Sequence, residues 1–364
     1  MQKDKRKFHQ ICEDFLDRSM ELYDVPGLVI GVRWGDGHKT GPGDALTFTG
    51  ARGYKNYMTK DPLQADHIFH CGSVSKLFTS MGIMKLVEEG KLDLQERLVD
   101  LLPYLSIADR RCENIRLHHM LTHTSGMGDV EDYHWDEPRI DEQALKDYAL
   151  SEEVRETPML WAPGEGGFRY SNMAYELLGL IIAERSGKSY EDFMMEHFLK
   201  PAGMKNSTFL TFERTGGSLA PEVIDRTNMA MPHVKAADRS IVLEPHYPYN
   251  RQHGPSSTLT SDVYDLMKWA NFNIKKRAVD PALYEEIWHQ HATVPNNGEG
   301  MGLGWFMRQQ EGYEFLGHEG TDDGFRASFW FCRQLDLAII VLSNMTKAPV
   351  KKLNKGLCEA LIRS

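Results

Sequence analysis

The sequence predicts an α+β (α/β two-lobe) fold: an antiparallel sheet built from both ends of the chain and flanked by helices, with a mainly helical lobe inserted. Three observations predict it. Strand-like stretches lie at both ends, an apolar run at 28–32 and a second stretch at 45–54 near the start, and four between 303 and 342 near the finish. From 73 to about 290 the apolar residues instead recur mainly at helical spacing. A chain of 364 residues is also long enough for two lobes sharing a core.

The elements follow in order. Phe8, Ile11, Cys12, Phe15, Met20 and Leu22 fall near helical spacing over 5–23, and Pro26-Gly27 ends that helix. Leu28 to Val32 reads as a buried strand, and Ala45 to Tyr54 as a second one after a Gly-rich turn. A helix opens at Ser73, puts Val74, Leu77, Phe78, Met81, Met84 and Val87 on one apolar face, and stops at Gly90. Another runs from Ala174 to Arg185, while 214–255, with several Gly and Pro and little periodicity, reads as long loops and short elements. Strands return at Leu303–Met307, Phe315–His318, Arg326–Cys332 and Leu337–Leu342, before a final helix from about Pro349 to Ile362. Residues 1–72 and 291–364 would form the sheet lobe and 73–290 the helical lobe, with a cleft where they meet.

Composition removes several classes. With 42 basic and 52 acidic residues, net charge −10, the chain lacks the basic excess that nucleic-acid binding normally needs. No apolar run approaches 18 residues, so no membrane span is expected. Five cysteines (Cys12, Cys71, Cys112, Cys332, Cys358) at unrelated spacings, with no Cys-x-x-Cys, speak against a zinc ribbon or a disulfide framework. Reduced thiols and the lack of an apolar segment after the charged start fit a cytoplasmic protein; an exported one with its leader removed would read the same.

Three motifs carry chemistry. In Cys71-Gly72-Ser73-Val74-Ser75-Lys76 the serine stands at a helix start, where free N–H groups favour negative charge, and Lys76 lies at i+3 on the same face. In a dry pocket such a lysine can lose its proton and accept one from the serine. Alone, the pair reads equally as an N-cap serine beside a solvated lysine. In Phe168-Arg169-Tyr170-Ser171-Asn172, Tyr170 and Asn172 at i and i+2 can both point into a cleft. A phenol near a lysine ammonium can ionise more easily and serve as a base; the plainer reading is a Tyr packed beside an N-cap Asn. In Gly317-His318-Glu319-Gly320-Thr321 the second glycine permits close approach of backbone to a ligand, though a hairpin alone needs no more.

The order Ser-x-x-Lys, Tyr-x-Asn, His-x-Gly resembles the serine β-lactamase and penicillin-binding-protein superfamily, most closely its class C β-lactamase, D-alanyl-D-alanine carboxypeptidase and related esterase branch. Leu121-Thr122-His123-Thr124-Ser125-Gly126, Lys200-Pro201-Ala202-Gly203-Met204 and Gly302-Leu303-Gly304-Trp305 look like the same family, and the resemblance covers about residues 20 to 345. It implies that Ser73 is acylated, that Lys76 and Tyr170 shuttle its proton, and that Asn172 holds the substrate amide or the lysine. The N–H groups of Ser73 and Thr321 would form an oxyanion hole, with His318 and Gly320 lining the substrate site.

Two departures narrow this. Many β-lactamases carry Lys-Thr-Gly where this chain has His318-Glu319-Gly320, which is similar to certain carboxypeptidases and D-amino-acid peptidases and makes β-lactamase activity doubtful. Gly254-Pro255-Ser256-Ser257-Thr258 replaces an expected Gly-Gly-x-x-Ser-Thr and would reshape a cleft wall; Arg326 could receive a substrate carboxylate, though a surface arginine on a strand is the plainer reading. His119 and His123 at i and i+4 could hold zinc, but no Glu follows His119, and neither a cofactor nor a metal is expected. No Gly-x-Ser-x-Gly or phosphate-binding glycine loop occurs. The expected function is a serine hydrolase acting through an acyl-enzyme on a small ester, amide or peptide. The rival is a non-catalytic, penicillin-binding-like sensor or scaffold.

Overall fold

The computed structural model describes residues 4–35, 45–295 and 297–364; the turn expected across 36–44 lies outside them. Thirteen strands form one large sheet and two small ones among these residues. The large sheet takes β1 (Gly27–Trp34), β2 (Leu46–Asn56) and β3 (Asp61–Pro62) from the first part of the chain. From the last part it takes β8 (Ala292–Thr293), β9 (Gly300–Met301), β10 (Phe306–Gln310), β11 (Tyr313–Asp322), β12 (Phe325–Cys332) and β13 (Leu337–Ser343). Its order is β3-β2-β1-β13-β12-β11-β10-β9-β8 and every pairing is antiparallel. The ends of the chain meet where β1 pairs β13, with Ile30 opposite Val341.

Both faces of this sheet are covered, which explains why β13 reads as an unbroken apolar run and not as an alternation. Leu337, Ile339 and Val341 join Leu28, Ile30 and Val32 beneath the two terminal helices. Ala338, Ile340 and Leu342 join Val29 and Phe329 against the helical layer on the other side. The N-terminal helix Lys5–Leu22 buries Phe8, Cys12 and Leu16 at four-residue spacing, and the C-terminal helix Val350–Ile362 buries Leu353, Leu357 and Leu361. At about 1.5–3 kcal/mol for each large apolar side chain, these stripes anchor both helices to the sheet.

The helical layer is built around Ser75–Glu88 and Asn172–Ser186, both buried on most sides, and Val263–Ile274. A short pair, β4 (Phe69–His70) with β7 (Thr260–Ser261), ties the segment entering the first of these helices to the one leaving Gly254–Ser257. Within the expected loop region the other small sheet, β5 (His233–Lys235) with β6 (Ile241–Leu243), is accompanied by single-turn helices.

Some boundaries differ from expectation. The strand expected at Leu303–Met307 begins at Phe306, because Gly304 turns the chain at φ +81° and tucks Leu303 and Trp305 into the core. The strand expected to stop at His318 continues to Asp322 along β12. Ser73 does not open the α-helix; it sits in a 3-10 turn, Gly72–Val74, just before it.

Candidate active site

Ser73 and Lys76 are brought together as their spacing predicts. The Lys76 ammonium donates to Ser73 Oγ at 3.0 Å and to the Ser256 carbonyl at 2.9 Å. Lys76 is fully buried, and this desolvation lowers its pKa from 10.5 to about 8, against the pull of Glu176, Asp129 and Asp322. It forms no ion pair among the described residues.

Tyr170 reaches the same point from the entrance to the helix Asn172–Ser186. Its ring stacks on His123 at 4.3 Å, and Lys76 Nζ lies 5.0 Å from its centroid. Its hydroxyl lies towards Ser73, and burial drives its pKa well above 10. The expectation of an easily ionised phenol is therefore corrected: burial, with Tyr175, Asp129 and Asp322 acting in the same direction, keeps Tyr170 neutral, and the group that titrates near 8 is the amine.

Ser171, not Asn172, caps the helix, its hydroxyl accepting from the Ala174 N–H at 3.1 Å. Asn172 donates from Nδ2 to Asp129 at 3.0 and 3.3 Å, and its N–H to the same carboxylate at 2.6 Å. It is thus fixed by Asp129; of its two expected partners, the substrate amide or the lysine, the lysine is held by Ser73 and Ser256. His123 accepts from the Ser171 N–H at 3.1 Å, and burial keeps it neutral beneath Tyr170. His119 Nδ1 accepts from the Arg116 N–H, so the histidine pair serves the backbone. No group of three or more His, Cys, Asp or Glu able to hold a metal occurs among the described residues.

The third motif lies against the serine's turn. A Cβ on Gly320 would meet the Cys71 carbonyl at 2.0 Å, and one on Gly72 (φ +52°) would meet the Thr321 nitrogen at 2.9 Å. Only glycines let β11 press this closely on the turn carrying Ser73. The Thr321 nitrogen thereby lies beside the turn that carries Ser73. Asp322, at the end of β11, fastens this corner: it accepts from Ser257 Oγ and lies 2.7 Å from His70 Nε2. His318 is buried beside Tyr170 and Phe306, its pKa lowered to about 3 by burial and by Lys76, with Nε2 unpartnered. It brings no positive charge.

These groups line a cleft of about 480 Å³ that includes Ser73, Tyr170, Asn172, His318 and Thr321, with aromatic walls from Tyr133, Phe168 and Phe306. Arg326 is not among its lining residues; it opens on another cavity. Sequence reading missed Asp129, Asp322, His70 and Glu176, and placed Ser256 in a cleft wall without its role towards Lys76. Glu176 left a signal, an isolated charge inside the apolar run Met173–Ile182. It is fully buried, accepts from Ser256 Oγ at 2.5 Å and lies 3.2 Å from His253 Nδ1, behind the carbonyl that holds Lys76.

A serine, a buried lysine and a buried tyrosine thus stand together beside the Thr321 nitrogen at the edge of the sheet. Residues 13–357 match the family model described as Beta-lactamase, and the chain belongs to that family. It is 27% identical to "Protein flp" of Staphylococcus aureus (strain MW2) over 83% of its own length, and spans 57% of that longer relative. Its fold is similar to the octameric penicillin-binding protein homologue from Pyrococcus abyssi, at TM-score 0.80 and 26% identity over 100% of this chain and 78% of that one. It is also similar to the D-amino acid amidase from Ochrobactrum anthropi SV3, at TM-score 0.78 and 20% identity over 98% and 99%. No helix among the described residues is long and apolar enough to cross a membrane.

Proposed function

We propose that this chain hydrolyses small esters or amides through an acyl-enzyme on Ser73. The observation that carries the reading is the buried Lys76 amine, 3.0 Å from Ser73 Oγ and lowered to about 8. In its neutral form Lys76 takes the serine proton as Oγ bonds to the substrate carbonyl carbon. The N–H groups of Ser73 and Thr321 stabilise the oxyanion, each worth about 3–4 kcal/mol in the transition state. As the tetrahedral adduct collapses, the proton passes by way of the Tyr170 hydroxyl to the departing alkoxide or amine. Water then attacks the acyl group by the reverse relay and releases the acid. Asn172, held by Asp129, offers its amide to the substrate, and His318 and Gly320 wall the site. The substrate lies between a sheet lobe (1–72 and 291–364) and a helical lobe (73–290).

The neutral His318 supports esters and simple amides over penicillins, whose carboxylate needs a cation close to the reacting carbonyl. A short-chain p-nitrophenyl ester should therefore be turned over faster than nitrocefin; the reverse order would contradict this preference.

The same lysine sets a pH dependence. Only the deprotonated amine accepts the serine proton, and its pKa is lowered, so kcat/KM should rise with pH through a midpoint near 8. A profile flat from pH 6 to 9, measured with p-nitrophenyl acetate, would exclude Lys76 as the base.

A further inference from the structure

A second cavity, about 920 Å³, opens between the two terminal helices and the outer side of β11, and shares Glu319, Thr321 and Lys351 with the catalytic cleft. The two meet at the margin of the sheet, because β10 pairs with β11 only as far as Gly317. Its walls are chiefly apolar, from Phe15, Leu22, Pro349 and Val350, and Leu22 stands 75% exposed at its mouth. Its charges are mainly positive, on a chain of net charge −10: Arg18, Arg326, Lys351, Lys352 and Lys355 against Glu319 and Glu359, with Lys351 and Lys355 paired to Glu299 at 2.9 and 3.7 Å. Arg18, Arg326 and Lys352 form no ion pair among the described residues, and Arg326 donates only to the Asp322 and Phe325 carbonyls. Lys351 and Lys352 also occupy the first turn of the C-terminal helix, which holds no acidic residue and where the helix dipole disfavours cations.

We infer that this cavity is a subsite for an aliphatic chain ending in a carboxylate, entered from the catalytic cleft over Thr321. An apolar trough whose rim carries three cations outside any ion pair, Arg18, Arg326 and Lys352, fits an amphipathic anion and repels a cationic chain. The acyl part of a substrate whose carbonyl rests at the Thr321 N–H can run across the edge of β11 into it, so the chain selects long, ω-carboxylated acyl groups. That last step rests on the acyl-enzyme reading; the binding of the chain does not.

Two measurements on the full chain test this. Calorimetry with decanoate should show binding to the wild type, weakened about tenfold by the double variant R18E/K352E and by Leu22→Glu. All three positions are exposed and stand apart from the reacting groups. No binding of decanoate, or equal binding by the variants, overturns the subsite. With esters, R18E/K352E should lower kcat/KM for the mono-p-nitrophenyl ester of decanedioic acid about tenfold and leave p-nitrophenyl acetate unchanged. Equal effects on both esters overturn the proposed route from the cleft. If acetate is not hydrolysed at all, the catalytic reading fails, while the decanoate result still decides the cavity.

Discussion

Replacing Ser73 by alanine should abolish turnover and leave the fold intact. The hydroxyl supplies the atom that bonds to the substrate carbon, and no other serine of the cleft takes its place: Ser256 Oγ is committed to Glu176 and Ser257 Oγ to Asp322. Loss of a nucleophile typically lowers kcat by about four to six orders of magnitude, leaving what the oxyanion donors alone contribute. Stability should barely change, because the helix Ser75–Glu88 packs through Leu77, Phe78, Met81 and Met84, none of which touches the deleted oxygen's role. A Ser73→Ala protein retaining a tenth of the wild-type rate on p-nitrophenyl acetate would end the assignment.

The second large effect concerns Lys76 and Tyr170 as one proton-handling unit. Each single loss, Lys76→Met or Tyr170→Phe, should cost about two to four orders of magnitude in kcat. The double variant should be little worse than the poorer single, since both residues serve one proton path. Additive losses would separate them. Lys76→Met has a second readout. Burial lowers the amine from 10.5 to about 8, so below pH 8 the folded state carries the full cost of a buried charge, and above 10.5 the cost vanishes. That ~2.5-unit gap corresponds to about 3 kcal/mol, offset in part by the lost hydrogen bond to the Ser256 carbonyl. The inactive variant should thus melt at a higher temperature than wild type at pH 7, and the difference should shrink as pH rises towards 10. A Tm lowered at pH 7 would mean that Lys76 is held as a well-paired cation and is no poised base.

What the sequence made legible divides along physical lines. Ser73 and Lys76 share one turn, so their meeting follows from local geometry, and the terminal strands betrayed themselves by apolar runs because their sheet is covered on both faces. Asp129, Ser256 and Asp322 reach the cleft from remote segments, and no local period marks them. Gly320 signalled a close approach, but what approaches is the chain's own Cys71 carbonyl. The ionisation of Tyr170 was misjudged because charge proximity shows in a sequence motif and burial does not. The apolar stretch Leu303–Met307 suggested a strand from its first residue, but the chain turns at Gly304, and Leu303 and Trp305 are buried in the core ahead of the strand.

Covalent labelling tests the central claim most directly. A fluorophosphonate leaves its phosphonyl group on an activated serine, and water removes it slowly. Intact-mass analysis of the treated protein should show one added group, and peptide mapping should place it on the segment containing Ser73, with no labelling of Ser73→Ala. Labelling at Ser125 or Ser256, or none in a folded sample, would contradict an acyl-enzyme on Ser73.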